Sequence, residues 1–225
     1  MTKQQTTEAR KSRFHVSVLR VLLVSAILIA LIGIVQHAII SDTDVKLMKN
    51  ELRNAEAIRL AKERYISELN IQTSRVAEVI TEMQPRVDPD LAKLIARSVI
   101  TENKRSGVKT SLILGVMMVE SRFNPLAVSS ANATGLMQVR YAVWGEQPEL
   151  LDNGVTKEQH LFWVNANTKC GTTILKKYLE KANGDLAAAL YRYNTGGSFS
   201  NRSDTSYINN VIQAAYQAAD LLGCE

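Results

Sequence analysis

Apolar and polar residues are distributed unevenly along this chain, and the longest apolar run lies near the N-terminus. Residues 21–40 contain no Asp, Glu, Lys or Arg. A helix of this length rises about 1.5 Å per residue and can cross a hydrocarbon core of about 30 Å. A cleaved signal peptide has a shorter apolar stretch, of about 7–15 residues, that ends in small residues. The pattern therefore favours an uncleaved transmembrane anchor at 21–40 over a cleaved signal.

Charge is concentrated before this segment. Residues 1–20 contain five basic side chains and one acidic side chain, whereas the rest of the chain contains 22 basic and 21 acidic ones. The positive-inside rule then predicts a cytoplasmic basic tail at 1–20, a single pass through the membrane, and residues 41–225 on the outer side. Because the excess charge belongs to the tail, it does not indicate a nucleic-acid-binding surface.

A long amphipathic helix is predicted after the anchor. Residues 44–83 contain no Gly or Pro, and their apolar side chains recur mostly at three- and four-residue steps, with a lapse at 72–73. This pattern predicts a helical stalk over 41–84. The stalk can associate with itself, meet a partner, or pack back onto the domain that follows.

The remaining residues, 85–225, are predicted to form one mainly α-helical domain. Asp88 and Pro89 are typical of a helix start. No strand pair with a convincing hairpin turn is evident, and residues 145–165 are not assigned to an element. The helices are predicted at residues 89–105, 110–122, 167–182, 185–193 and 206–222.

One acidic residue is singled out by its position. Residues 112–119 are apolar on every face, which predicts a helix buried in a core, and Glu120 follows directly. Partial burial raises the pKa of a carboxyl group and keeps a proton on it near neutral pH, as a general acid requires. The alternative is a glutamate at a helix end that faces solvent.

Four short motifs follow one another from Glu120 onward. The residues of the first motif are Glu120, Ser121, Phe123, Pro125, Ala127, Gly135, Leu136, Met137 and Gln138. Those of the other three are Asn167, Gly171, Tyr178 and Leu179; Tyr193, Asn194 and Gly196; and Tyr207 and Val211. In this order the four motifs resemble the soluble lytic transglycosylase family, a lysozyme-like group. Two departures are Arg192, where the family generally has alanine, and residues 139–144, which differ from the usual continuation after the first motif.

The resemblance implies a lysozyme-like fold and cleavage of peptidoglycan glycan strands between N-acetylmuramic acid and N-acetylglucosamine. Glu120 would act as the acid and then as the base. The motifs contain one such carboxylate, which suits the family's substrate-assisted route to 1,6-anhydromuramic ends, formed without water. Ordinary glycosidases use two carboxylates. The family and the anchor together imply an inner-membrane protein with a periplasmic catalytic domain.

The resemblance also implies supporting roles in substrate binding. Ser121 would contact the sugar's acetamido group or the carboxylate, or else satisfy backbone groups at the helix end. Met137 would form an apolar floor of the cleft, or else pack in the core, and Gln138 would bind sugar hydroxyls. Tyr193 would orient the carboxyl group of Glu120. The six residues implied to bind substrate are Ser121, Met137, Gln138, Tyr193, Asn194 and Tyr207.

Two other functions stay open. A hydrolytic lysozyme would need a second carboxylate, for which Glu146 and Asp152 are the candidates. A wall-binding component of a secretion, conjugation or phage machine would use the stalk to meet its partner. The three histidines do not cluster and no phosphate-binding loop is present, so neither a metal nor a cofactor is expected. Cys170 and Cys224 either pair in an oxidising compartment or are small buried residues.

Overall fold

The computed structural model describes residues 3–198, 200 and 204–223. The chain divides into two compact units, Met1–Tyr65 and Ile66–Glu225. Helix α1 spans Lys3–Met83, so its last part belongs to the second unit.

The first unit consists of the part of α1 that precedes Ile66. Within the described residues, one helix is long and apolar enough to cross a membrane, with a candidate span that begins at Leu19 and a mean hydropathy of 2.5. Its apolar side chains are exposed, including Leu23 at 62% and Ile29 at 70%. An exposed apolar surface of this kind suits a lipid environment, which agrees with the expected anchor by length and composition.

The second unit includes the end of α1. Val76, Val79, Ile80 and Met83 are at most 7% exposed and pack in its core with residues of the following helices. The compact unit therefore begins before the boundary at residue 85 that the sequence suggested. The reason is that the apolar stripe beyond the lapse at 72–73 has an apolar surface within the same unit to pack against.

The two parts of α1 are expected to respond differently to the same small substitution. Ile80→Val removes one methylene from a side chain that is 0% exposed, and it should cost about 1 kcal/mol of unfolding free energy. Ile58→Val, at a position that is 70% exposed, should cost nothing measurable. Urea unfolding of the full chain in detergent tests this. Equal effects at both sites would contradict the assignment of Ile80 to the core.

Helices beyond α1 begin and end close to the predicted bounds. Asp88 caps α2, because its Oδ1 accepts hydrogen bonds from the backbone N–H groups of Asp90 and Leu91 at 2.9 and 3.1 Å. The long helices are α2 (Pro89–Ser106), α3 (Thr110–Ser121), α6 (Val164–Lys181), α7 (Leu186–Thr195) and α8 (Ser206–Leu222). The described part of the chain is thus mainly helical, as predicted.

Helix α8 packs closely against α3 in this unit. A Cβ atom at Gly115 would lie 2.8 Å from the backbone of Val211 and Ala215. Only glycine permits so close an approach of two helices. The apolar sequence of α3 is explained by its surroundings, since Ile113, Leu114, Val116 and Met117 on its successive faces are all 0% exposed.

A short hairpin and two small helical segments follow α3. Strands β1 (Ala133–Thr134) and β2 (Val139–Arg140) pair antiparallel, although no strand pair was expected from the sequence. Each strand has two residues, too few for an alternating pattern to be visible. Helix α4 spans Tyr141–Trp144. The segment that the sequence left unassigned contains α5 (Pro148–Leu151) and a 3-10 helix (Glu158–Phe162).

Cys170 is 0% exposed, and burial raises the pKa of its thiol to about 12. Its surroundings suit a small apolar core residue. Cys224 lies outside the described residues, so both alternatives for the two cysteines stay open.

Candidate active site

A cavity of about 660 Å³ opens beside the end of α3. Glu120 lies in its wall, together with side chains from the hairpin, α4, α6 and α7. Its volume is in the range of cavities that bind small molecules or a segment of a polymer. The other lining residues are Ser129, Ala131, Ala133, Gln138, Val139, Arg140, Val143, Trp144, Ile174, Tyr178, Tyr193, Asn194, Thr195, Gly196 and Gly197.

Two opposing effects act on the carboxyl group of Glu120. Burial at the end of an apolar helix raises its pKa from 4.5 to about 7, because desolvation disfavours the charged form. The hydroxyl of Tyr207 donates a hydrogen bond of 2.6 Å to Oε1 of Glu120, which lowers the pKa. Burial is the larger effect. Glu120 can therefore hold and release a proton near neutral pH, as the sequence suggested.

The tyrosine that contacts Glu120 differs from the expected one. Tyr193 was expected to orient the carboxyl group, but its hydroxyl donates to the backbone oxygen of Met137 at 2.8 Å. Tyr207, which lies in the first turn of α8, donates a hydrogen bond to Glu120 instead. The close packing of α8 on α3 explains this, because it brings the start of one helix next to the end of the other. Tyr193 remains in the wall of the cavity.

The end of α3 is held against the hairpin. The hydroxyl of Ser121 donates to the backbone oxygen of Leu136 at 2.8 Å, so it satisfies backbone and not a ligand in this arrangement. Gln138 lines the cavity, and its Nε2 donates to the backbone oxygens of Gly135 and Ala127 at 3.0 and 3.2 Å. Both side chains thereby fix the chain that surrounds Glu120.

Met137 packs in the core and does not form a floor of the cavity. It is 0% exposed, and its sulfur lies 3.7 Å from the hydroxyl of Thr172. A Cβ atom at Gly171 would come within 2.5 Å of the Cβ of Met137. The glycine is therefore required because α6 and the hairpin approach closely here. Met137 supports the cavity from behind, and its backbone oxygen receives the hydrogen bond of Tyr193.

Asn167 has a positioning role that the sequence did not predict, although it falls in a motif. It is 1% exposed, and its Oδ1 accepts from the backbone N–H of Met137 at 2.7 Å. Its Nδ2 donates to the backbone oxygens of Thr134 and Leu161 at 2.7 and 2.8 Å. One buried amide thus ties α6, the hairpin and the 3-10 helix together.

The far wall of the cavity is aromatic. Trp144 and Tyr178 meet edge to face with their ring centroids 6.0 Å apart, and both line the cavity. Asn194 is exposed at the end of α7 and lines the cavity as well, so its amide is available to a ligand. Aromatic side chains with a few polar groups that fix orientation are typical of ligand-binding sites.

Glu120 is the one carboxyl group that lines the cavity in the described part of the chain. Glu146 and Asp152, which the hydrolytic alternative requires, are exposed and do not contribute to its wall.

A family model described as "Transglycosylase SLT domain" matches residues 97–214, which is just over half of the chain and includes the whole described wall of the cavity. The chain belongs to this family. All four motifs, from Glu120 to Val211, fall within the SLT match. The SLT resemblance seen in the sequence is thus confirmed.

Curated relatives carry the name "Membrane-bound lytic murein transglycosylase C". The protein of Glaesserella parasuis serovar 5 is 41% identical over 103 residues, which cover 42% of this chain and 28% of that protein. The one from Mannheimia succiniciproducens is 35% identical over 122 residues, covering 49% and 34%. The SLT domain therefore matches only about a third of these relatives' length. The solved lytic transglycosylase Slt of Pseudomonas aeruginosa, as an inactive mutant, is 19% identical with a TM-score of 0.43, covering 65% of this chain and 28% of that one.

Proposed function

We propose that this protein is a membrane-anchored lytic transglycosylase that cleaves peptidoglycan glycan strands between N-acetylmuramic acid and N-acetylglucosamine. The observation that carries the proposal is the single carboxyl group in the described wall of the cavity, Glu120, with its pKa raised to about 7. Membership of the SLT family and the names of the relatives support the same reaction.

Glu120 acts twice in this proposal. In its protonated form it donates a proton to the glycosidic oxygen, so that the bond from this oxygen to C1 of the muramic acid breaks. The N-acetyl group of that sugar stabilises the positive charge at C1. The Glu120 carboxylate then takes the proton of the O6 hydroxyl while O6 bonds to C1, which closes the 1,6-anhydro ring. No water is consumed, and a pKa of about 7 gives access to both protonation states at neutral pH.

The hydrolytic alternative is less well supported. Retaining glycosidases place a second carboxylate about 5 Å from the acid, and inverting ones place it about 6.5–9.5 Å away to activate water. The described residues offer no second carboxyl group in the cavity wall. A substrate that supplies its own nucleophile needs none.

Digestion of purified sacculi tests the reaction. The full-length protein in detergent is incubated with sacculi, and the released muropeptides are weighed by mass spectrometry. We expect products that are one water lighter than hydrolytic fragments. Products of full weight with reducing ends would contradict the proposal and establish a lysozyme. A folded protein that binds sacculi and releases nothing would favour a wall-binding function.

We propose further that residues 21–40 anchor the protein in the inner membrane, with residues 1–20 in the cytoplasm and the SLT domain in the periplasm. The exposed apolar helix, the basic residues before it and the relatives' description as membrane-bound support this topology.

Protease treatment of spheroplasts is expected to separate the two sides of the membrane. The SLT domain should be digested from outside, whereas an epitope tag before residue 1 should survive until the membrane is opened by detergent. A cytoplasmic marker protein serves as the control for intact spheroplasts. Protection of the SLT domain, or loss of the tag with the domain, would contradict the topology.

A further inference from the structure

The charges around the cavity are unevenly distributed. Apart from Glu120, Arg140 is the one charged residue that lines it in the described part of the chain. Its side chain is exposed, and no hydrogen bond or ion pair joins that side chain to another described residue. Its backbone is fixed, because it pairs with Ala133 in the hairpin and is the cap residue of α4. An exposed guanidinium group with no partner among the described residues is thus held at the edge of the cavity by the hairpin.

A second arginine lies next to the same wall. Arg192 directly precedes Tyr193 and Asn194, both of which line the cavity, and its charge acts on the hydroxyl of Tyr178. Its Nε is buried and has no hydrogen-bond partner among the described residues. Arg192 is not among the residues that line the cavity, so its contribution to the cavity is its positive charge.

Nearby acidic groups do not neutralise these two arginines. The charge of Glu149 acts on the hydroxyl of Tyr178 in the aromatic wall, and its carboxylate is paired with Lys177. The ammonium group of Lys177 also lies 5.2 Å from the centroid of the Trp144 ring. The pair is balanced in charge, so the wall of Trp144 and Tyr178 keeps the positive charge of both arginines.

We propose that Arg140 and Arg192 make this end of the cavity selective for glycan strands whose stem peptides carry free carboxylates. The inference rests on the proposed function, because the peptides are attached to the muramic acid next to the bond that is cleaved. A guanidinium group binds a carboxylate through two parallel N–H···O hydrogen bonds, which favours an anionic peptide over a neutral one of the same shape.

The test compares two substrates that differ in the charge of their stem peptides. One is a preparation of peptide-bearing glycan strands, and the other is the same preparation after carbodiimide coupling of excess methylamine to its carboxylates. The full-length wild-type protein should cleave the native strands with a kcat/KM about tenfold higher, the size of one charge-assisted hydrogen bond at a partly exposed site. Added salt should reduce this preference.

The variants Arg140→Gln and Arg192→Ala should lose most of the preference, because they slow cleavage of native strands more than cleavage of neutralised strands. Arg97→Gln removes the same charge from an exposed position on α2 outside the cavity wall, and it should behave as the wild type. Equal cleavage of both substrates by the wild type, or an equal loss on both in the variants, would overturn the proposal.

A binding measurement separates this inference from the proposed function. In a Glu120→Gln background, cosedimentation with native and neutralised strands reports recognition without chemistry. A preference for native strands that Arg140→Gln removes would support the inference, even if the wild type released full-weight products and the proposed reaction failed. Absence of any preference in binding would overturn the inference, even if anhydro products were found.

Discussion

Glu120→Gln is expected to reduce the release of anhydro products from sacculi by about 10²–10⁴-fold, the usual contribution of general acid–base catalysis. Glutamine keeps the shape of the side chain and can still accept the hydrogen bond of Tyr207, so the fold around the cavity should persist. It can neither donate a proton to the glycosidic oxygen nor take one from the O6 hydroxyl. Both proton transfers of the proposed reaction are lost in one substitution.

The matched controls are Glu146→Gln and Asp152→Asn, which make the same chemical change at exposed positions outside the cavity wall. Rates of product release should stay at the wild-type level in both. A large loss in either control would identify a second carboxylate in the reaction and would support the hydrolytic alternative. Full activity of Glu120→Gln would exclude Glu120 as the acid.

The same variant should also change stability in a manner that depends on pH. The pKa of Glu120 is raised from 4.5 to about 7 in the folded protein, so the folded state binds the proton more tightly than the unfolded chain. The free energy of unfolding therefore decreases as the pH rises from about 4.5 to about 7, by about 3 kcal/mol in total, and then stays level.

Glu120→Gln removes this dependence. The variant should gain stability relative to the wild type between pH 4.5 and 8, by an amount on the order of 3 kcal/mol. Urea unfolding of both proteins at the two pH values measures the difference. If the variant and the wild type differ in unfolding free energy by the same amount at both pH values, the carboxyl group is solvated in the folded state. Its pKa is then close to the ordinary value.

The features that could be predicted from the sequence are those set by local pattern. Helix α8 begins and ends at the predicted residues, because polar residues precede it and a glycine follows it. The burial of α3 could be predicted since its apolar residues cover every face, and the environment of Glu120 follows from that burial. These inferences need no knowledge of what packs against each helix.

The features that could not be predicted depend on contacts between distant segments. The hairpin is fixed by the amide of Asn167, 33 residues beyond Thr134 in sequence, and not by any strand pattern of its own. The stripe around Ile80 predicts a buried face, but only the folded unit shows that the following helices cover it.

The tyrosine beside Glu120 could not be identified from the sequence either, because its contact joins two distant segments. This contact leads to a second prediction. Tyr207→Phe removes the hydroxyl that donates to Oε1 of Glu120 and leaves the buried ring in place. Since this hydrogen bond lowers the pKa of Glu120 and burial raises it, the pKa should rise above about 7 in the variant. The protonated form, which begins the reaction, is then kept to higher pH, while the carboxylate that forms in the first step loses the hydrogen bond that stabilised it.

We expect kcat of Tyr207→Phe at pH 7 to fall by about 10- to 100-fold, as for a lost hydrogen bond to a charged group. The basic limb of the pH–rate profile, where Glu120 loses the proton that begins the reaction, should move to higher pH with the pKa. The matched variant is Tyr193→Phe, whose hydroxyl donates to the backbone of Met137 and not to the carboxyl group. It should lower the rate without moving that limb. If the limb of the pH–rate profile shifts in Tyr193→Phe alone, Tyr193 orients the carboxyl group, as the motif suggested. Helix α8 would then approach Glu120 differently when substrate is bound.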